Sequence, residues 1–71
     1  MELNEFTTEY NSICEKHLKV GSTLKDLSDH DLYIWIAGQT YRFGRSLEDS
    51  LMNAQIHLED REKAVQKFSF K

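Results

Sequence analysis

Gly38 stands in the middle of the most apolar stretch of the chain, DLYIWIAGQTYRFG at residues 31–44, and the backbone conformation it takes there decides the fold class. Two architectures accommodate it. In a mid-helix position glycine costs about 1 kcal/mol relative to alanine, a cost justified only where another helix packs closely. In a hairpin, Gly38 and Gln39 would form a type II′ turn, with glycine where a positive φ is needed. Ile36 would then face Tyr41 and Ile34 would face Phe43 on the side of Leu32, while Trp35 would oppose Arg42 among Tyr33 and Thr40 on the other. Tyr, Ile, Trp, Thr and Phe all suit strands. Two strands alone are marginal, however, and would leave a Trp/Tyr face wet. Ser28 as N-cap, Asp31 three residues on and Gly44 as C-terminal cap tip the balance toward a helix. In that helix Leu32, Trp35, Ile36 and Phe43 share a face, with Gln39 among them.

The flanks are plainer. Leu3, Phe6, Tyr10 and Ile13 recur at steps of three and four, and Leu18 and Val20 close the stripe before Gly21, which suits a left-handed cap. Glu15 and Lys19 are correctly ordered for an i,i+4 pair. Toward the C-terminus Ser46 is a good N-cap, with Asp49 three residues later in the manner of a capping box. Leu47, Leu51, Ala54, Leu58, Val65 and Phe68 then trace a second stripe, interrupted by Arg61. Glu48 and Asp49 at its start and Lys63 and Lys67 toward its end suit the helix dipole. The expected architecture is an all-α, compact three-helix domain over 3–20, 29–43 and 47–68, with the whole of 1–71 forming one small domain. The alternative is α+β, in the order α-β-β-α with a hairpin at 32–43.

A chain of 71 residues has a small core and a thin margin of stability, so a homodimer is the expected way to complete it. Cys14 is the only cysteine and cannot staple the chain internally, which fits a reducing compartment. MELNEFTTEY carries no basic segment followed by an apolar one, so no signal peptide is expected. The longest apolar run, Leu32–Ala37, falls far short of the ~20 residues that span a bilayer. The expected setting is the cytoplasm, away from any membrane. Twelve acids against nine bases leave a net charge of −3, without the basic face of a typical nucleic-acid binder.

Little points to catalysis. Cys14 and His17 share a helical face, and His57 with Asp60 beside it could complete a zinc set. Structural zinc usually announces itself by paired, short-spaced ligands, so no metal and no cofactor is expected. Asp26, Asp29 and Asp31 lack the frame of a calcium loop and read as a solvated helix start. There is no nucleophile elbow, phosphate loop or dinucleotide fingerprint. The expectation is that the chain is not an enzyme.

The candidate partner-binding residues are Tyr33, Trp35, Tyr41, Arg42, Arg45 and Phe70. Trp, Tyr and Arg dominate interface hot spots, and Trp35 serves equally well as the keystone of a core. Phe70 follows the last periodic position and needs a cover that a second chain could supply. LSDHDLYIWIAGQTYRFG resembles a helix of the small Hha/YmoA family of nucleoid-protein modulators through Leu27-Ser28-Asp29, Leu32, Trp35 and Arg42. The likeness covers a quarter of the chain, and the remainder does not follow that family's pattern. It implies a helix here and a nucleoid-modulating role.

The reading that results is a small interaction protein, of the kind found as phage or mobile-element accessory proteins, that binds a larger protein partner and inhibits it. The alternative is a nucleic-acid-associated regulator using Arg42 and Arg45, whose binding would fall steeply with salt.

Overall fold

The computed structural model describes residues 1–20 and 24–68, the side chains of residues 17–20 excepted. Gly21, Phe70, the side chains of His17, Leu18 and Val20, and the Glu15–Lys19 pairing therefore lie outside the described residues. Helix α1 spans Leu3–Val20, a single 3-10 turn covers Leu24–Asp26, and α2 runs Asp29–Arg42. Two shorter helices follow, α3 at Leu47–Leu58 and α4 at Arg61–Phe68. The described residues are all helical and contain no strand, so the hairpin at 32–43 is excluded.

The cap signals work as their chemistry requires. Ser28 Oγ accepts the amide N–H of Asp31 and Ser46 Oγ accepts that of Asp49, each at 3.1 Å. At the far end of α2 the N–H groups of Phe43 and Gly44 turn back to the carbonyls of Thr40 and Tyr41. Gly44 holds φ 97°, the left-handed conformation that ends helices at glycine.

The expected third helix is two. After Leu58 the amides of Glu59 and Asp60 fall back by three residues onto Ile56 and His57, a tightening that ends α3. Asp60 then restarts the chain: its carboxylate accepts the N–H of Lys63 at 3.2 Å and its carbonyl that of Ala64 at 3.0 Å. The restart re-aims Arg61, which would otherwise lie in the apolar stripe. Its guanidinium donates to Asp29 Oδ1 at 2.6 Å, to the carbonyl of Lys25 at 3.1 Å, and to that of Leu27. An exposed ion pair with Asp29 alone would contribute little. Two backbone carbonyls of the connection into α2, satisfied by the same fork, make this a tether between chain segments.

Helix α2 is the axis of the molecule. Leu32, Ile34, Trp35, Ile36, Ala37 and Gly38 are all buried, which leaves that half of the helix without a wet face, the mark of an enclosed helix. On one side Phe6, Tyr10 and Ile13 of α1 cover it, and on the other lies α3, with α4 beyond. Ser50 and Ala54, one turn apart and fully buried, are small enough to let α2 and α3 approach closely. The second stripe packs as expected, through Leu47, Leu51, Ala54, Leu58, Val65 and Phe68. Two apolar residues depart from expectation. Leu3 is exposed at the start of α1, and Phe43, 89% exposed, leaves the core face because the helix ends at it.

Gly38 is where the close approach occurs. A Cβ built there would lie 2.1 Å from Cε1 of Tyr10 and 2.3 Å from its Cδ1. The tyrosine ring occupies the volume that any other residue would fill. That ring stacks on Trp35 (centroids 5.6 Å apart, planes at 16°) and more loosely on Phe6, and its hydroxyl accepts a 2.9 Å bond from Gln39 Nε2. The exposed pair His30 Nε2 and Glu9 Oε1, 2.5 Å apart, adds a second link between α1 and α2.

Candidate functional site

Of the six residues expected to bind a partner, the five that are described do not form one patch. Trp35, 3% exposed, is core rather than contact surface, lying under the Tyr10 ring. Tyr41 is half-buried and set edge-on to Phe6 at 5.8 Å, while Tyr33 is half-buried with its ring 6.5 Å from that of His30. Arg42 is exposed in the last turn of α2 on the side of Tyr10. Burial pushes the Tyr10 hydroxyl above its ordinary pKa, with Cys14 adding to the rise, and the guanidinium of Arg42 and the amide of Gln39 pull it partly back. Arg45 is exposed just past the cap, and Phe70 lies outside the described residues. Helical periodicity separates these side chains: Trp35 and Tyr41 turn toward α1, whereas the backbone beyond Gly44 carries Arg45 toward α3 and α4.

Arg45 borders a shallow cleft of about 260 Å³ between the exit of α2, the outer side of α3 and the end of α4. Phe43 and Phe68 both line it, with Lys67 next to Phe68. The Lys67 ammonium lies 6.0 Å from the centre of the Phe68 ring, and His57 meets that ring edge-on at 5.0 Å. Burial, with the neighbouring Lys67 charge second, holds the His57 imidazole below its ordinary pKa. The floor is amide and hydroxyl. Asn53 Nδ2 donates to Thr40 Oγ1 at 3.0 Å, and that hydroxyl in turn donates to the carbonyl of Ile36. Next to Asn53 and His57 on α3, Ile56 and Met52 stand more than half exposed one turn apart.

Sequence reasoning missed Phe43, Lys67 and the Met52–Ile56 pair as surface features. Phe43 fits the core pattern of α2 by spacing. Its position immediately before Gly44 is the signal that could have placed it beyond the helix.

Of the residues considered for chemistry, the side chain of His17 lies outside the described residues. Cys14 is a partly buried thiol packed on the core, and His57 is engaged with Phe68. Among the described residues no three His, Cys, Asp or Glu side chains lie together as a metal would require. Asp29 is committed to Arg61 and Asp31 sits in the first turn of α2. No described helix is long and apolar enough to cross a membrane.

No protein-family model, curated protein or solved structure matches the chain. The likeness to the Hha/YmoA helix thus rests on its own few residues.

Proposed function

We propose that this chain is a small, non-catalytic, cytoplasmic interaction protein that acts as a homodimer, binds a larger protein partner and inhibits it. The supporting observation is Phe43: an 89% exposed aromatic ring at the C-cap of α2, lining a cleft together with Arg45 and Phe68. An exposed aromatic ring offers a large apolar area to bury on binding, and aromatic and arginine side chains are where interface energy concentrates. Met52 and Ile56 extend the apolar surface along α3 and offer a place for the second copy. The alternative reading, a nucleic-acid-associated regulator, draws on the same aromatic ring and Arg45, since a base can stack where an apolar side chain can. The net charge of −3 weighs against a polyanion.

A photo-crosslinking residue placed at Phe43, and separately at exposed Gln55, tests the reading in extracts of the native cell. Position 43 should give one recurrent crosslinked protein that position 55 does not. Equal labelling from both positions, or none from 43, would refute it. Sedimentation equilibrium tests the dimer directly, a monomer at all concentrations being the adverse result.

A further inference from the structure

We infer that the cleft beside Phe43 takes an acidic segment of a partner protein, with a carboxylate between Arg45 and Lys67 and a neighbouring apolar side chain against Phe43 and Phe68. This rests on the interaction reading above and names the chemistry of the partner.

The argument is first one of charge contrast. Acids outnumber bases in the chain, yet Arg45, Lys67 and His57 line this cleft and no Asp or Glu does. Neither Arg45 nor Lys67 has a carboxylate partner among the described residues. Arg42 is engaged with the Tyr10 hydroxyl and, in the last turn of α2, also complements the helix dipole. Arg45 lies beyond the cap, where that explanation weakens.

The second argument is a count of donors. The amides that could serve a neutral ligand are partly committed already, Gln39 to Tyr10 and Asn53 to Thr40. The strongest uncommitted donors are the two cations, and a cationic donor pairs best with an ionised acceptor. The lowered pKa of His57 is consistent with a locally positive field, since Lys67 contributes to it. The third argument is shape. A cleft of about 260 Å³ with two aromatic rings in its lining admits one or two side chains. A polyanionic strand would also meet the net charge of −3 carried by the whole chain. A single carboxylate interacts only within about a Debye length, ~8 Å at physiological salt, and is governed by the local cations.

The probe is a phage-displayed library of random twelve-residue peptides selected on the full chain. Enriched sequences should place Asp or Glu next to Phe, Trp or Leu. A synthetic peptide of the consensus should bind at least tenfold more weakly to Arg45→Glu/Lys67→Glu and to Phe43→Ala. All three substitutions are at surface positions, so an unchanged circular dichroism spectrum and proton–nitrogen correlation map are expected to certify the fold. Amide shifts on titration should centre on Phe43, Asn53 and His57. Selection without acidic enrichment, or equal binding to the charge-reversed variant, overturns the inference. So does a single-stranded oligothymidylate that binds this cleft more tightly than the peptide. Specific crosslinks from position 43 with binding indifferent to charge reversal overturn this inference alone. Absence of those crosslinks removes the reading beneath it.

Discussion

Gly38→Ala should destabilise the protein even though it replaces the second-worst helix former by the best. Intrinsic propensity alone favours the alanine by about 1 kcal/mol. The new methyl would stand 2.1 Å from Cε1 of Tyr10, against an ordinary contact of 3.4–4 Å, so the ring must withdraw. It has no cheap route, being stacked on Trp35 and Phe6 and anchored through its hydroxyl by Gln39. Losing two ring contacts costs about 0.5–1.5 kcal/mol each, and losing the hydrogen bond costs about 1 kcal/mol. The balance is a net loss of roughly 2 kcal/mol, in the range of overpacked cores. For a domain of this size that lowers Tm by about 10 °C. Urea and thermal unfolding followed at 222 nm measure it. The decisive control is the Tyr10→Ala background, where the methyl meets no ring. There Gly38→Ala should stabilise by about 1 kcal/mol, reversing sign across the cycle. An unchanged or raised Tm for the single variant, or the same sign in both backgrounds, would refute the steric account.

Ser50 Oγ is buried without a hydrogen-bond partner among the described residues, so Ser50→Ala should raise stability by about 1 kcal/mol in urea unfolding. Arg61→Ala should cost about 1 kcal/mol by giving up its bonds to the carbonyls of Lys25 and Leu27, and Arg61→Lys should recover less than half, because a lysine lacks the fork. The folded-state pKa of His57 lies below its unfolded value near 6.5, so the unfolded chain binds the extra proton first. Stability contributed by neutral His57 is therefore present above about pH 6.5 and declines as pH falls through the folded pKa. His57→Gln should flatten the urea midpoint over that window.

The parts of this fold legible in the sequence are those governed by local chemistry. Ser28, Ser46 and Gly44 cap because a hydroxyl oxygen or a positive φ suffices there, whatever lies elsewhere in the chain. Gly38 could be read only as a choice between a turn and a close approach, since the ring that fills its notch comes from twenty-eight residues away. The break at Glu59–Asp60 escaped notice because Leu58 and Val65 are one heptad apart and continue a helical stripe across it. Arg61 was the visible discord in that stripe, but its partners lie in another segment. The candidate site was the least legible. Arg45 is a candidate by its type alone, whereas Trp35 has the composition of a hot spot and the position of a core residue, and only packing separates the two.

The Arg61 tether also bears on the order in which the molecule opens. An eight-residue helix such as α4 does not persist in water unaided. Its persistence depends on burying Ala64 and Val65 and on the contacts Arg61 makes with residues 32 to 36 positions earlier in the chain. Those contacts in turn fix the connection that leads into α2. Neither segment can fray without releasing the other, so hydrogen exchange in residues 24–29 and 61–68 should proceed as one cooperative unit, at a lower free energy than the α2 core.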